Sequence, residues 1–337
     1  MPYSIEKIAG ALKGKRKIII FTHNNPDPDA IASAWAMKHL LKELLNIKSR
    51  IVYDGFIGRA ENKAMVKLLK IKLSHLSKIK LSNRDGFILV DTQPGVGNNS
   101  MPLQIIPSLV IDHHPLNKKQ KSILVDVRKD VGSTASILTE YLVNNNLEIP
   151  KNLATALFYG IESETQGLSI ETDNLDKQYY KLLFPKISQF ILAKIQFPKL
   201  EREFFLNLKK ALNNVYSYKN VIIINMGRID NADMISEFCS FFLRYKKSTW
   251  ALSVGEMNNR LIFSIRTQNR RANAGRIAQK ISGIKGSGGG HETSAGGWIE
   301  LTDKDSLRNV TQDFIKRFLI QLGHKEDVVL TPLVSVK

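Results

Sequence analysis

Short apolar runs alternate with longer amphipathic stretches through the first half of the chain. KIIIF (17–21), RIVYD (50–54), FILVD (87–91) and SLVID (108–112) are apolar runs of strand length. ASAWAMKHLLKELL (32–45), AMVKLLK (64–70) and STASILTEYLV (133–143) instead carry apolar positions at helical spacing, and LATALFYGI (153–161) predicts a further buried helix. Strand and helix in alternation predict βαβ units, hence an α/β fold with a mainly parallel sheet and flanking helices.

The second half has a different rhythm. Residues 175–215 are helical in pattern, with breaks at Pro185 and Pro198, and this stretch predicts the connection between two domains. Strands follow at VIIIN (221–225), TWALSVG (249–255) and LIFSIRT (261–267). Asn258-Asn259, between the last two, predicts a hairpin because Asn tolerates positive φ. The expected layout is a first domain over 1–175, a helical connection over 176–215 and a smaller α/β domain over 216–325. No solenoid-type repeat or low-complexity tract competes with it.

Composition narrows the class. At 337 residues, with 43% hydrophobic and 24% charged residues, the chain is long enough for two cores and has ordinary globular usage. Its first residues, MPYSIEKIAGALKGKRK, lack the apolar core of a secretory signal, and no run approaches the roughly eighteen apolar residues of a membrane span. A soluble, cytoplasmic protein without a membrane partner is the expectation. The single cysteine, Cys239 in ISEFCSFFL, excludes an intrachain disulfide framework and a CxxC zinc pair, and its apolar context places it in a core. The net charge of +18 favours an anionic partner, but only local concentration of that charge makes a site.

The candidate chemistry lies at the ends of three strands. KIIIF runs into Thr22-His23 and then Asp27 and Asp29, FILVD ends on Asp91, and SLVID ends on Asp112 followed by His113, His114 and Pro115. The carboxyl ends of parallel strands share one edge of an open α/β sheet, where ligands bind. Singly, each residue has a plain structural reading: Asp27 and Asp29 as turn formers, Asp29 as a helix cap, Asp91 as an Asx turn before Pro94, the histidines as part of a surface turn. Together they gather carboxylates and imidazoles on one edge, where the acids repel one another unless cations neutralise them. Carboxylate and imidazole without thiolate suit Mn²⁺ or a similar borderline-hard ion, and a bridging carboxylate suits a pair of ions. Glu162 and Glu164, in GIESETQG (160–167), add two acids at the end of a helix.

HNNPDPDA, VDTQP, IDHHP and, far downstream, GSGGGHETSAGG follow the order and rough spacing of the motifs of the DHH phosphoesterase family with a C-terminal DHHA1 domain, over about residues 15–300. The chain resembles that family, and its size and two-part layout resemble the bacterial oligoribonuclease and 3′-phosphoadenosine-5′-phosphate phosphatase branch. The resemblance implies two divalent ions, manganese foremost, with magnesium or cobalt as alternatives. It implies that His23, Asp27 and Asp91 hold one ion and that Asp29, Asp91, His113 and Glu164 hold the other, with Asp91 bridging. His114 would then donate to the phosphate, with Asp112 orienting its loop from behind. Two positions depart from the family pattern: Glu164 where many members have Asp, and Ala32 where Gly is usual. Glu can still ligate, but its extra methylene displaces the carboxylate.

Two features set GSGGGHETSAGG (286–297) apart from a flexible linker. His291 interrupts it where glycine amides, those of Gly289 and Gly290 among them, can cradle an anion, and the segment leads straight into an apolar stretch. Between Asn258 and His291 lie Arg260, Arg266, Arg270, Arg271, Arg276, Lys280 and Lys285, with no acid among them. Such a local excess is a footprint for polyphosphate or nucleic acid. Arg266 is the candidate phosphate clamp because its planar fork suits bidentate contact, and Arg271 is a further candidate contact. The resemblance implies that this second domain grips the substrate and delivers it to the metals, with His291 taking part in catalysis.

The activity expected from the resemblance is two-metal hydrolysis of short RNA oligonucleotides to mononucleotides, with 3′,5′-bisphosphorylated adenosine as a second substrate. A homodimer is compatible with it. A cyclic dinucleotide phosphodiesterase would use the same residues, and a nucleic-acid-binding protein with impaired catalysis is the rival from another class. A type II inorganic pyrophosphatase shares the first half of the pattern but not a GGGH segment.

Overall fold

The computed structural model describes residues 3–117, 121–169, 172–269, 271–290, 292–302, 306–325 and 328–334. The chain forms two compact units, Met1–Pro198 and Lys199–Lys337.

The first unit is built on six parallel strands: β1 (Ile18–Phe21), β2 (Ser49–Tyr53), β3 (Leu73–His75), β4 (Gly86–Val90), β5 (Leu109–Asp112) and β6 (Leu124–Val127). Their order across the sheet is β3-β2-β1-β4-β5-β6, so the winding reverses between β1 and β4. The inner strands are buried on both faces, which is why they read as unbroken apolar runs. Alternate residues serve two cores: Ile18, Ile20, Ile88 and Val90 face one, Ile19, Phe21, Phe87 and Leu89 the other.

Among the described residues this unit has the α-helices α1 (Ile5–Leu12), α2 (Pro28–Leu45), α3 (Ala60–Leu68), α4 (Thr134–Asn144), α5 (Lys151–Glu164), α6 (Asn174–Leu183) and α7 (Gln189–Gln196). α2, α4 and α5 meet through small residues. A Cβ added at Gly160 of α5 would lie 3.3 Å from the Ala32 Cβ and 3.2 Å from the Ala135 Cβ. Ala32, standing where Gly is usual in the resembled family, is fully buried and fits because a glycine faces it. The stretch 176–215, expected as a connection, is divided. Tyr179, Leu183, Leu192 and Ile195 of α6 and α7 join the core of the first unit, which ends at Pro198. α8 (Arg202–Asn213) belongs to the second unit. Helical periodicity marks an apolar face but not the core that face will join.

The second unit carries β7 (Val215–Tyr218), β8 (Val221–Arg228), β9 (Trp250–Met257), β10 (Arg260–Thr267), β11 (Gly286–Gly290), β12 (Ser294–Glu300) and β13 (Thr331–Pro332), in the order β11-β12-β10-β9-β8-β7-β13. The pair β8 and β9 is parallel and the others are antiparallel. Its further helices are α9 (Asp233–Phe242), α10 (Ala274–Ser282) and α11 (Leu307–Gln321). Asn258 and Asn259 have φ of 53° and 57° between the paired residues Met257 and Arg260, a two-residue turn with both central residues left-handed. Cys239 is fully buried, its Sγ 3.3 Å from the carbonyls of Ala251 and Ser264. In the glycine-rich segment 286–297, set apart from a flexible linker in the sequence, Gly286–Gly290 form the sheet-edge strand β11 and residues 294–297 open β12. A Cβ at Gly288 would come within 2.6 Å of Ala278 O, and one at Gly275 within 2.3 Å of Gly290 O, so the glycines let α10 pack directly on strand backbone.

Candidate metal centre

Three strands deliver the acid and histidine residues to one edge of the first sheet. β1 leads into Thr22-His23, β4 into Asp91, and β5 ends on Asp112 ahead of His113 and His114. Reversal of the winding between β1 and β4 leaves a crevice there in open α/β sheets. Asp91 has φ of 60°, a left-handed conformation that Asp tolerates better than most side chains.

The Asp91 carboxylate stands between two histidines. Oδ2 is 3.5 Å from His23 Nε2, and Oδ1 is 3.6 Å from His113 Nε2. His23 Nδ1 lies 2.9 Å from Asn24 O, and His113 Nδ1 lies 3.3 Å from Val131 O. Each Nδ1 therefore donates to a backbone carbonyl, which in the neutral ring turns the Nε2 lone pair toward the carboxylates, the arrangement of a metal-binding histidine. A proton competes for the same place. Burial disfavours charge on His23, yet Asp27 and Asp91 hold its pKa well above the usual imidazole value.

Asp27 combines its plain structural reading with its chemical one. It caps α2, accepting from the Ala30 N–H through Oδ1 at 3.0 Å with Pro28 at the first helical position, while Oδ2 is 3.6 Å from His23 Nε2. Burial raises the pKa of such a carboxyl, but the charge and hydrogen bond of His23 and the Ala30 amide together hold it below the usual range. Asp29 does not cap its own helix. The Thr134 and Ala135 N–H groups at the start of α4 donate to its Oδ2 and Oδ1 at 2.8 and 2.7 Å, and Oδ2 is 4.0 Å from His113 Nε2. Burial, then the charges of Asp91, Glu164 and Asp27, raise its pKa well above the ordinary carboxylate value. Glu164, the last residue of α5, is pushed up to about 8 by burial, with Asp27 and Asp91 adding to the effect. Carboxylates that resist ionising together are what a divalent cation relieves.

Asp112 organises the two histidines from behind. Its Oδ1 accepts from the His113 N–H, the His114 N–H and His114 Nδ1 at 2.9, 3.3 and 2.8 Å, and its Oδ2 accepts from Gln93 Nε2 at 2.6 Å. Burial opposes charge on His114, but the bond to Asp112 and the charge of Asp91 lift its pKa to about 9. The shift favours the protonated ring, in which both nitrogens are donors.

Among the described residues, two sets of donor atoms lie within 4.8 Å of one another: His23, Asp27 and Asp91, and Asp91, His113 and His114. Asp91 is common to both. The first set contains the trio implied by the family resemblance. In the second, His114 stands where the resemblance implies Asp29 and Glu164, although its Nδ1 is engaged by Asp112. Thr134 and Gln93 were not legible as site residues. GST (132–134) ahead of an apolar helical run signals a helix start, but nothing in it signals that the amides behind it meet Asp29.

In the second unit, Arg266 Nη1 lies 2.9 Å from Ser264 Oγ and Ile265 O and 3.3 Å from Ala295 O. It lines a cavity of about 250 Å³ with Gly289, Gly290, Ser294 and Gly296. Arg271 is exposed ahead of α10. Arg270 and His291 lie outside the described residues.

Fold and cluster together define a two-unit α/β protein whose candidate ligand site sits at the switch point of a parallel sheet. Residues 17–161 match the DHH family, N-terminal domain, and residues 219–317 match the DHHA1 domain. The chain belongs to the DHH family and carries a DHHA1 domain. An uncharacterized protein of Methanocaldococcus jannaschii is 38% identical over 323 residues, 93% of this chain and 66% of that protein. A probable manganese-dependent inorganic pyrophosphatase of Bacillus licheniformis is 32% identical over 150 residues, 44% of this chain and 48% of that protein. The chain thus spans less than two thirds of the length of either relative. The crystal structure of an exopolyphosphatase-related protein from Bacteroides fragilis shares the fold, with a TM-score of 0.73 over 94% of this chain and 96% of that one at 15% identity. No helix among the described residues is long and apolar enough to cross a membrane.

Proposed function

We propose that this protein is a metal-dependent phosphoesterase that hydrolyses short RNA oligonucleotides to mononucleotides, with 3′,5′-bisphosphorylated adenosine as a second substrate. The observation that carries the reading is the Asp91 carboxylate, one oxygen facing His23 and the other facing His113. This donor set fits a pair of divalent ions, Mn²⁺ foremost: His23, Asp27 and Asp91 for one, and Asp91, His113 and Asp29 for the other, with Glu164 at the margin. When bound, such ions make water a stronger acid and neutralise charge developing on phosphoryl oxygens. His114, kept cationic by Asp112, donates to a phosphoryl oxygen and strengthens that contact as charge builds there. Asp112 and Gln93 hold the imidazole in place. In the second unit, Arg266 and the adjoining cavity bind a substrate phosphate through the guanidinium fork.

The test is turnover with Mn²⁺ on a panel of dinucleotides, the adenosine bisphosphate, cyclic dinucleotides and pyrophosphate, for the wild type and Asp91→Ala. Dinucleotides should be consumed fastest, and Asp91→Ala should lose at least about a hundredfold in rate. Preference for pyrophosphate or for cyclic dinucleotides would replace the substrate assignment. An active Asp91→Ala would remove the metal assignment itself.

A further inference from the structure

Beside the candidate metal centre lies a buried carboxylate, Asp176, whose hydrogen-bond partners are hydroxyl and amide donors and none of the proposed ligands. Asp176, in the first turn of α6, is fully buried. Its Oδ1 accepts from Ser136 Oγ at 2.6 Å and Ser133 Oγ at 3.1 Å, and its Oδ2 accepts from the Gly132 N–H at 2.7 Å and the Asp173 N–H at 2.9 Å. Three of these four donors belong to residues 132–136, the entry into α4. A buried carboxylate that spends its accepting capacity on one short segment fixes that segment's position, because moving it would strand a charge without partners.

The other side of the same segment meets the candidate ligands. Thr134 and Ala135 give their N–H groups to Asp29, the Thr134 hydroxyl donates to Asp91 Oδ1 at 2.8 Å, and Val131 O faces His113 Nδ1. Residues 131–136 therefore form a rigid plate, with Asp176 on one side and His113, Asp29 and Asp91 on the other. The start of α4, where helix amides favour negative charge, is shared by two carboxylates, Asp29 and Asp176. Asp29 is the one near the cluster. Asp176 lies 40 to 44 residues along the chain from its partners on the plate, with α5 between them in sequence, so its bonds tie α6 to the entry of α4.

We propose that Asp176 is a positioning residue of the metal centre: it sets the α4 entry segment so that Asp29, Asp91 and His113 are presented at ion-binding separation. This rests on the metal reading given above. Asp176→Asn replaces one carboxylate oxygen with an NH₂ that cannot accept from the donors around it, so the plate should shift and loosen. Partners behind metal ligands commonly affect affinity by about tenfold to a hundredfold, and a loss of that size is expected in Mn²⁺ binding. Ser136→Ala, which deletes the 2.6 Å bond to Asp176 and the 2.9 Å hydroxyl contact with Ser133 but leaves the carboxylate in place, should shift affinity the same way by a smaller factor.

The experiment is Mn²⁺ titration of the chelator-treated two-unit chain, followed by calorimetry and by the electron paramagnetic resonance of free Mn²⁺, with thermal melting in parallel. Tyr141→Phe is the control for general destabilisation. Tyr141 lies in the C-terminal half of α4, and the change removes its hydroxyl's bonds to Asp126 and to the Tyr3 N–H, neither of which involves a residue of the plate. Weakened binding in Asp176→Asn and Ser136→Ala, with binding unchanged in Tyr141→Phe, supports the role. If Asp176→Asn does not fold, Ser136→Ala against Tyr141→Phe decides alone. Wild-type affinity in Ser136→Ala and Asp176→Asn, or an equal loss in Tyr141→Phe, overturns the role of Asp176 and leaves the metal centre standing. Failure of the wild type to bind Mn²⁺ removes both.

Discussion

The Thr134 hydroxyl donates to Asp91 Oδ1 at 2.8 Å, while the Thr134 N–H donates to Asp29 Oδ2 at the same distance. One residue thus fixes two candidate ligands that arrive from different elements, Asp91 after β4 and Asp29 in α2. Thr134→Val keeps the shape and the amide but removes the hydroxyl, so Asp91 alone should lose its anchor. Half-saturation by Mn²⁺ should rise by about tenfold, in line with the loss of a partner behind a metal ligand. Thr134→Ser should restore it. A Val variant with wild-type metal titration would show that the bond to Asp91 has no bearing on the site.

How much of this was legible in the sequence follows from the range of each interaction. β1, β4 and β5 are buried on both faces, so their apolar runs stand out and the residues that end them can be found by inspection. β3 and β6, at the sheet edges, are only partly buried and carry no such signal. His23, Asp27 and Asp91 stand out at strand ends with the other edge acids and histidines, and only the family resemblance groups those three around one ion. The service of Thr134 to Asp29 spans 105 residues and is set by how α4 packs beside α2, which no local pattern encodes. The glycine-rich segment carries a second signal that composition does not separate from the first: a Cβ at Gly288 would collide with α10, whereas one at Gly289 would meet nothing within 4 Å.

Glu164 tests the departure from the family pattern directly. Its carboxyl is pushed up to about 8 by burial and by Asp27 and Asp91, so it lies within reach of their field whether or not it ligates. Glu164→Asp should keep turnover near wild type, because family members commonly carry Asp there. Glu164→Ala should raise the Mn²⁺ requirement by several-fold or more, by removing one negative charge from the centre. An unmoved metal titration in Glu164→Ala would assign Glu164 to the surroundings of the site only.

The same raised groups give a pH dependence of stability with a definite sign. In chelator, a carboxyl whose folded pKa is about 8 against 4.5 unfolded holds a proton that the unfolded chain has already lost. Stability is then lost as pH rises through that window. His114, at about 9 in the folded state against 6.5, contributes stability below pH 6.5 that is likewise lost as pH rises toward 9. Both slopes run downward. Melting temperature in chelator should therefore fall between pH 5 and about 9, and Glu164→Gln should flatten the lower part of the fall. Added Mn²⁺ should oppose it, since the ion binds the deprotonated acids. A melting temperature that climbs over this range in chelator contradicts the electrostatic account.

Arg266 should act on substrate and not on metal. Its guanidinium is tied to Ser264, Ile265 and Ala295, which sets the fork beside the cavity lined by Gly289, Gly290 and Ser294. Arg260, at the start of the same strand, lies over the Trp298 ring and pairs with Glu300, so its charge is already answered. Arg266→Ala should reduce dinucleotide turnover by about one to three orders of magnitude while Mn²⁺ binding stays unchanged, and Arg260→Ala should leave turnover near wild type. Substrate binding should weaken as salt rises, because each phosphate contact releases counterions, and Arg266→Ala should flatten that slope by about one contact. Turnover and binding measured across a salt series for the three proteins decide the matter. If Arg266→Ala and Arg260→Ala behave alike, the local excess of arginine is a solvated surface and the phosphate is held elsewhere.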